Sequence, residues 1–427
     1  MQGTTLVIFT VTLFLIAYAF IVTEKIHRTI AALVGAAIMV IAGIETQAQA
    51  IGHIDFNTIG LLVGMMIIVG ITKDSGMFEF LAISAVKAGK GKPMAILIWL
   101  SLMTAIVSAF IDSVTCILLV IPITISIASK LNINPIPIVF SEIMLCNIGG
   151  AATLIGDPPN IMIGSAAGFS FNDFVKNMAP ILIVIIAATL FVLWLIYRKK
   201  LTSTEEHINA VMAVNQWDEI KDKTLAKKSL IVILLTIAGF ILHQALHLES
   251  ATIALSGAAL LMLLVRPVPE RVFETIEWSV IFFFVGLFVL VGALQEVGVM
   301  QFLAAKSLEA TGGGLLETGM AVLWVSAVAS AFVDNIPFTA TMIPVVEHIG
   351  EIGEIARMDS LWWSFALGAC LGGNGTIVAA SANVVAIDMI EDEGYHLSFL
   401  SFMKKGFPIM ILSIMISTIY LYIFYWT

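Results

Sequence analysis

The sequence predicts an all-α polytopic membrane protein made of two inverted-topology repeats, and three observations lead to this fold class. First, 59% of the 427 residues are hydrophobic and 12% are charged, with a mean hydropathy of +1.03. Second, apolar runs long enough for a bilayer crossing of about 20 helical residues recur along the whole chain. Third, the chain repeats its own pattern after 222 residues, the difference in number between Asp112 and Asp334.

The internal repeat is visible in three blocks of sequence. Asp112 matches Asp334 and Pro122 matches Pro344 at one spacing. The matched blocks are 54–82 with 276–304, 108–128 with 330–350 and, after one residue of slippage, 147–160 with 370–383. Because the blocks keep one register, we interpret them as an ancient duplication. In a membrane chain, a duplication whose hydrophobic segments are interrupted at matching places is typical of a secondary transporter and its binding site.

Interruptions of the apolar runs set the number of crossings. The runs at 94–129 and 317–346 are each broken near the middle by an aspartate, and each is predicted to return to its starting side as a re-entrant helical hairpin. The runs at 135–165 and 360–390 contain GDPPN and GGNGT…SAN, and each is predicted to be one broken crossing. Each half then has five transmembrane crossings plus a hairpin. Since five is odd, the second half enters the membrane upside down.

The distribution of basic residues predicts the orientation. Of the 21 Lys and Arg residues, 18 fall on one side of this topology and three on the other. The positive-inside rule places the 18 in the cytoplasm, so both termini are predicted to be extracytoplasmic, with the chain in the plasma membrane. The only sizeable hydrophilic segment joins the two halves. We therefore expect a first inverted repeat at 1–200, a cytoplasmic linker at 201–228 and a second inverted repeat at 229–427.

Composition and motifs exclude several other classes of protein. The net charge is −9, and no basic face suited to nucleic acid is present. Cys116, Cys146 and Cys370 lie in apolar segments without the spacing of a metal site or a disulfide. The chain has no HExxH motif and no P-loop, so neither a metalloprotease nor an ATP-driven pump is expected of this chain alone. A soluble ATPase partner could still dock on the basic loops. We expect no cofactor or resident metal, only a coupling ion, H⁺ or Na⁺.

Two matched aspartates at the hairpin midpoints are the first candidates for a transport site, because an ionisable side chain in hydrocarbon is costly and marks a functional position by default. Asp112 and Asp334 could carry the coupling proton, or they could only cap the second helix of each hairpin. The roles are compatible, since a helix N-terminus also binds ions. The candidate residues at the hairpin tips, where sodium is the other candidate ligand, are Asp112, Ser113, Thr115, Asp334, Asn335 and Thr339.

The two broken crossings supply a second set of polar side chains. Pro158 and Pro159 cannot continue a helix, so the chain is predicted to unwind around Asp157. Unwound backbone at membrane depth is tolerated only inside protein or along a wet cavity, although the glycine runs could also serve tight helix packing. We expect Asn160 and Asn383 to face a shared cavity. The candidate binding residues here are Asn147, Thr153, Asp157, Asn160, Asn374, Thr376, Ser381 and Asn383.

Three further acidic residues fall in or near apolar runs. Glu296 and Asp388 lie near predicted helix ends and are interpreted as charges at the membrane interface. Glu142 lies early in a broken crossing and has no acidic counterpart in the other half. It is interpreted either as a solvated helix end or as a group that contacts the binding residues without contacting the ligand.

Three motifs resemble the ion transporter superfamily, in particular the branch that holds the arsenite efflux permease ArsB and the melanosomal P protein. The motifs are NIGGAATLIGDPPNIMI at 147–163, DNIPFTATMIPV at 334–345 and FALGACLGGNGTIVAASANVV at 365–385. The resemblance covers nearly the whole chain. It implies an inverted-repeat fold with two re-entrant hairpins, a homodimer in the lipid bilayer, and ion-coupled transport by alternating access.

The hairpin tips depart from one pattern of this superfamily. In its sodium–dicarboxylate members the tips carry Ser-Asn-Thr, whose oxygens bind sodium and the substrate carboxylate. Here the tips read Asp-Ser-Val-Thr at 112–115 and Asp-Asn-Ile-Pro at 334–337, and two anionic side chains would repel a dianion. The leading interpretation is proton-coupled efflux of arsenite or antimonite, with Asp112 and Asp334 as proton carriers. A sodium–proton antiporter is the alternative, followed by a sodium-coupled symporter for a carboxylate or another anion.

Overall fold

The structure is a computed structural model that describes residues 3–23, 25–355 and 357–426. These residues form 22 α-helices and two short 3-10 helices, with no β-strand in the described ranges. The helices of the first half are α1 Gly3–Thr23, α2 Arg28–Ile41, α3 Gln47–Gly52, α4 Phe56–Lys73, α5 Met77–Ala88, α6 Pro93–Ser108, α7 Ser113–Lys130, α8 Ile136–Gly150, α9 Pro158–Ala167, α10 Phe171–Asn177 and α11 Ala179–Tyr197.

The linker and the second half contain the remaining helices. Those in this part of the chain are α12 Glu205–Met212, α13 Lys223–Leu246, α14 Ser250–Val265, α15 Pro269–Phe273, α16 Trp278–Glu296, α17 Val299–Thr311, α18 Leu315–Phe332, α19 Asn335–Gly353, α20 Met358–Gly372, α21 Ser381–Asp392 and α22 Phe399–Phe424. The two 3-10 helices are Gln216–Glu219 and Ile377–Ala379. Because α13 begins at Lys223, residues 223–228 of the predicted linker belong to a long apolar helix.

Eight of the described helices are long and apolar enough to cross a membrane, and four shorter apolar helices accompany them. The eight are α1, α4, α7, α11, α13, α16, α18 and α22, and the four are α2, α6, α8 and α14. Together with α9, α19, α20 and α21 they supply the helices expected of two halves. The chain is therefore an all-helical, multi-pass membrane protein, while the inverted orientation of the second half stays a prediction.

Both predicted hairpins form as two helices joined by a short turn. In the first, α6 ends at Ser108 and α7 begins at Ser113. In the second, α18 ends at Phe332 and α19 begins at Asn335. Each turn ends at an aspartate whose carboxylate accepts backbone N–H groups of the next helix, as an N-cap residue does. The sequence argument placed both turns correctly, while the return of each hairpin to its starting side of the membrane stays a prediction.

Both long crossings are broken, as predicted. The first separates α8, which ends at Gly150, from α9, which begins at Pro158. The second separates α20, which ends at Gly372, from α21, which begins at Ser381. Proline is well suited to the first turn of α9, because its missing N–H would have no partner there in any helix. The predicted break is confirmed, but it lies at 151–157, so of GDPPN only Gly156 and Asp157 are unwound, and Pro158, Pro159 and Asn160 begin α9.

The two halves are interlocked through glycines that bring helix backbones into contact. A Cβ atom on Gly64 of α4 would lie 2.6 Å from the carbonyl carbon of Ala254 in α14. The matching residues, each 222 positions away, are Gly286 of α16 and Ala32 of α2. A Cβ on Gly286 would lie 2.7 Å from the carbonyl carbon of Ala32. Small residues permit this close approach, which drives helix association in membranes. Each half therefore packs against the other and not only against itself.

Loop contacts define one end of the molecule, which we call the basic end. The backbone N–H of Lys221 in the linker donates to the carbonyl of Ser75 after α4, at 3.0 Å. The hydroxyl of Ser203, also in the linker, donates to the carbonyl of Leu131 after α7, at 2.7 Å. The linker and the loops after α4 and α7 therefore meet at one end, where the sequence concentrates lysine and arginine.

The opposite end is defined by contacts of the same kind. The N–H of Ala251, at the start of α14, donates to the side-chain oxygen of Asn57 at the start of α4, at 3.0 Å. The hydroxyl of Tyr420, near the end of α22, donates to the carbonyl of Asn177, the last residue of α10, at 2.8 Å. The loops expected on the side with only three basic residues thus gather at this end.

The close contact between α6 and α8 gives a test of the packing. A Cβ on Gly149 would lie 2.2 Å from the carbonyl oxygen of Ala105, so we expect Gly149→Ala to force these two helices apart. The expected loss is about 1–3 kcal/mol of unfolding free energy, the usual cost of overpacking. Thermal unfolding in detergent measures it. Gly52→Ala, at an exposed helix end with no atom within 4 Å of the new Cβ, is the control, and an equal effect of both substitutions would contradict the packing.

Candidate functional site

Asp157 lies where the first broken crossing meets the tips of both hairpins. Its residue is 4% exposed. The hydroxyl of Ser113, at the start of α7, donates to one carboxylate oxygen at 3.4 Å, and the amide of Asn335, at the start of α19, donates to the other at 3.3 Å. Both donors are neutral, and no lysine, arginine or histidine of the described chain pairs with Asp157. A buried carboxylate in this setting requires a proton or a cation to neutralise it.

Asp112 at the tip of the first hairpin acts as a helix cap. One carboxylate oxygen accepts the N–H groups of Val114 and Thr115 at 3.0 and 3.2 Å. The other accepts the hydroxyl of Thr115. The side chain is half-buried and has no basic partner within the described residues. Capping is therefore one role of Asp112, and it leaves a second role open.

Asp334 at the tip of the second hairpin has a different environment. One oxygen caps α19 by accepting the N–H of Ile336 at 2.9 Å. The other accepts from the guanidinium of Arg28, at the start of α2, at 3.2 Å and from the hydroxyl of Ser381, at the start of α21, at 2.8 Å. Both charged side chains are close to one-fifth exposed. The two matched aspartates therefore differ in charge balance, because only Asp334 has a cation beside it.

Arg28 is a residue of this candidate site that sequence reasoning missed, because it was counted among the basic loop residues. It also donates to the hydroxyl of Ser381 at 2.5 Å, and its guanidinium lies over the ring of Phe283 at 5.3 Å. The matching position in the second half, 28 plus 222, is Ser250. The available signal was an arginine at the start of an apolar helix in the first half, at a position where the second half has a serine.

A cavity of about 180 Å³ lies beside this ion pair, near the loop that joins α1 to α2. Thr23, Arg28, Asp334 and Ser381 provide its polar lining. The rest of its wall is apolar and includes Phe283 and Pro337. The second hairpin tip thus borders a space at the basic end of the molecule that a small polar ligand could occupy.

The amides of the two broken crossings serve the backbone of the breaks. The Asn160 amide donates to the carbonyls of Ala151 and Thr153 at 3.0 and 2.9 Å. The Asn383 amide does the same to the carbonyls of Gly373 and Thr376 at 2.7 and 2.9 Å. Both asparagines are fully buried. Each asparagine therefore stabilises the backbone of its own break. This differs from the expectation that the two side chains face a shared cavity. A direct contact with substrate stays a prediction.

The breaks are also tied to the hairpins and to each other. The hydroxyls of Thr153 and Thr376 donate to carbonyls in the first and second hairpin, those of Ala109 and Ala331. A further set of bonds joins the two halves: the amide of Asn147 donates to the side-chain oxygens of Asn374 at 3.0 Å and Asn383 at 2.9 Å. The structure therefore gathers most of the predicted residues into one connected polar centre.

Three buried groups complete this centre. The hydroxyl of Thr339 is fully buried and has no hydrogen-bond partner. The thiol of Cys370 donates to the side-chain oxygen of Asn160 at 3.3 Å. Glu142 is fully buried and accepts the hydroxyl of Thr124 at 2.7 Å, which links α8 to α7. Glu142 is thus a supporting group and not a solvated helix end. No group of three metal-binding side chains occurs in the described part of the chain.

Comparison with known sequences identifies the family. The sequence model of the family described as CitMHS, citrate transporter, matches residues 18–368. An uncharacterized transporter of Mycobacterium tuberculosis (strain ATCC 25618 / H37Rv) is 40% identical over 420 residues, which are 97% of this chain and 98% of that protein. The P protein of Sus scrofa is 34% identical over an alignment of 487 positions, which covers 95% of this chain and 58% of that protein.

Solved structures with the same fold are also transporters. The YdaH transporter of Alcanivorax borkumensis superimposes with a TM-score of 0.55 at 14% identity, over 88% of this chain and 86% of that one. MtrF of Neisseria gonorrhoeae, described among antimetabolite efflux pumps, gives a TM-score of 0.63 at 11% identity, over 91% and 84%. These two likenesses concern the fold alone. With the family match and the polar centre between two hairpins, they lead to one conclusion: the chain belongs to the CitMHS family and is a secondary transporter of the ion transporter superfamily.

Proposed function

We propose that this transporter exports a small polar inorganic species in exchange for protons, with arsenite or antimonite as the substrate to test first. The observation that supports exchange for protons is Asp157, a buried carboxylate between two hairpin tips that accepts from the neutral side chains of Ser113 and Asn335 and has no basic partner among the described residues. Such a group is stable at membrane depth only when a proton or another cation neutralises it, or when a ligand donates hydrogen bonds to it.

Competition for Asp157 would couple the two fluxes. Undissociated arsenite is a small hydroxide whose O–H groups can donate to an ionised carboxylate, as the side chains of Ser113 and Asn335 do at 3.4 and 3.3 Å. When the substrate leaves, a proton takes its place on the same oxygens. Because one carboxylate cannot hold both, binding of one partner releases the other, which is the requirement for exchange.

Asp334 and Arg28 would respond to the same protons. The ion pair joins the tip of the second hairpin to α2 at 3.2 Å. A proton on Asp334 would remove the charge that Arg28 pairs with and would free this tip from α2. Asp112, which has no basic partner in the described residues, can take up a proton without breaking an ion pair. Proton coupling is thus assigned to Asp112, Asp157 and Asp334, with Asp334 controlling the hairpin.

A sodium–proton antiporter is the second candidate, and three oxygen atoms gathered against Gly150 favour it. The position of a Cβ there lies 2.7 Å from the carbonyl oxygen of Gly156 and 3.1 and 3.2 Å from the hydroxyls of Ser108 and Ser113. Hard cations take oxygen ligands of this kind. Asp157, which accepts from Ser113, would supply the negative charge.

A carboxylate symporter is the third candidate. The description of the family as citrate transporters supports it. Arg28 also weakens the electrostatic argument against an anion, because it balances the charge of Asp334. The remaining two aspartates of the centre, Asp112 and Asp157, still oppose a dianion, so this candidate ranks behind the other two.

We further propose that the basic end faces the cytoplasm of a cell whose plasma membrane holds the transporter as a homodimer. The 18 basic residues on that side support this orientation. Both chain termini then lie outside the cell. A soluble ATPase, if one docks on this transporter, would use the linker and the loop after α4, which meet at the basic end.

Reconstitution into proteoliposomes with a pH gradient tests the proposed function, with arsenite, sodium and citrate added in turn. We expect arsenite to drive proton movement, and Asp157→Asn to lower this coupled flux about tenfold or more, since 1.4 kcal/mol is already a tenfold change. Asp112→Asn and Asp334→Asn should also lose coupling while keeping their caps.

Asp392→Asn, at the exposed end of α21, is the matched control. Sodium–proton exchange without arsenite would support the second candidate, and normal coupling in Asp157→Asn would contradict the assignment.

A double-mutant cycle on Arg28 and Asp334 tests the ion pair. We expect Arg28→Gln and Asp334→Asn each to lower the unfolding free energy by about 1–3 kcal/mol, because each leaves a partly buried polar group without its partner. The double variant should lose clearly less than the sum of the two. Thermal unfolding in detergent gives all three values. The exposed pair Lys306–Glu309, 57% and 69% exposed, is the control and should show about 0–1 kcal/mol of coupling. Additive losses at Arg28 and Asp334 would show that their contact is unimportant.

A further inference from the structure

Two glutamates and a histidine meet at the opposite end of the molecule, away from the polar centre. Glu45 lies in the loop between α2 and α3, His53 follows α3, and Glu296 ends α16. The Nε2 atom of His53 is 3.5 Å from a carboxylate oxygen of Glu45 and 3.5 Å from one of Glu296. We call this group the Glu45–His53–Glu296 cluster. The imidazole stands between the two carboxylates.

The cluster runs from the interior to the surface. The Glu45 side chain is fully buried, and neither of its oxygens has a hydrogen-bond partner. His53 is 22% exposed, and its Nε2 atom is itself buried without a hydrogen bond. Glu296 is 33% exposed and accepts from the amide of Gln49 at 3.1 Å. Burial, with the charge of Glu296 nearby, raises the pKa of Glu45 to about 7.

The fold makes room for this histidine but does not require it. A Cβ on Gly292 of α16 would lie 2.2 Å from the imidazole ring, so only a glycine admits His53 here. In the matching place of the other half, 222 residues away, Thr275 lies against Gly70. The hydroxyl of Thr275 donates to a backbone carbonyl at 2.7 Å and carries no titratable proton. The same packing is therefore achieved without a titratable group.

A cavity extends from His53 of the cluster toward the polar centre. It has a volume of about 210 Å³, and its lining extends from His53 and Asp55 to Met162 of α9 and Ala340 of α19. Water occupies about 30 Å³ per molecule, so several waters fit. Met162 is five residues after Asp157, or about 7.5 Å along a helix. The inner part of the cavity is lined by α9 and α19, and the first turns of these two helices meet at Asp157.

We propose that the Glu45–His53–Glu296 cluster is a proton-binding site that loads protons at the opposite end and delivers them through this cavity toward Asp157. A hydronium ion would give its proton to the partly exposed carboxylate of Glu296 and leave as water. The buried Nε2 of His53 would then take up this proton and pass it to Glu45. The other titratable group beside the cavity is Asp55, whose carboxylate accepts from Asn57 and Thr58. The delivery role rests on the proposed proton exchange, whereas proton binding at the cluster does not.

Proton binding is tested by the dependence of stability on pH. Because the pKa of Glu45 rises from its ordinary value of 4.5 to about 7 in the folded protein, the folded state holds a proton that the unfolded state has lost between these values. Stability should therefore fall as the pH rises from 4.5 through about 7. Glu45→Gln should remove this part of the fall, and thermal unfolding across the pH range measures it. Identical profiles for both proteins would overturn the site.

Delivery is tested by transport in proteoliposomes while the pH on the side of the opposite end is varied. We expect His53→Gln to lower proton-coupled flux about tenfold or more at neutral pH, within the range of general acid–base effects. Gly292→Ala should reproduce this by displacing the imidazole. His348→Gln is the control, because His348 contacts the exposed Glu351 at 2.8 Å and lines no part of this cavity.

The outcomes separate this proposal from the proposed function. An unchanged pH profile of transport in both His53→Gln and Gly292→Ala would overturn the delivery role, even if Glu45 binds a proton. If the wild-type protein moves no protons with any substrate, the proposed function and the delivery role both fail. The pH dependence of stability would then still show whether Glu45 binds a proton.

Discussion

One constraint governs this structure: a helix that unwinds at membrane depth must have its polar backbone groups satisfied by the protein. Asn160 and Asn383 meet the constraint, each by donating to two carbonyls of its own break. Because these buried amides hold the breaks in a fixed shape, the chain can present Asp157 between the two hairpin tips. The glycine contacts between α4 and α14 and between α2 and α16 then hold the surrounding helices in place.

The repeated backbone carries an unequal distribution of charge, and this inequality gives the site its chemistry. Arg28 in the first half corresponds to Ser250, so only the second hairpin tip has a cation beside it. Asp157 corresponds to Ala380 after the one-residue slippage, so only the first break carries a carboxylate. In the proposed exchange, the unequal charges would let a proton act differently on the two hairpin tips.

The sequence predicted the parts of the fold that depend on local chemistry. The hairpin turns follow from an aspartate in the middle of an apolar run, and the break before Pro158 follows from the inability of this proline to continue the preceding helix. The sequence offered Arg28 as an unmatched charge, but its contact with Asp334 could not be predicted, because this contact joins residues 306 positions apart and depends on how α2 packs against the second half. The bracing role of the asparagines was missed for a related reason, since a polar side chain near a break suits a ligand and a backbone carbonyl equally well.

Counting the protons released when substrate binds tests the central claim most directly, namely that a proton and the substrate compete for Asp157. The purified protein in a weakly buffered detergent solution would be titrated with arsenite while the pH is recorded and binding is followed by calorimetry. The account predicts about one proton released for each arsenite bound near neutral pH, and almost none with Asp157→Asn, because one carboxylate gives up one proton. Arsenite binding without proton release in the wild-type protein, or equal release in the variant, would contradict it.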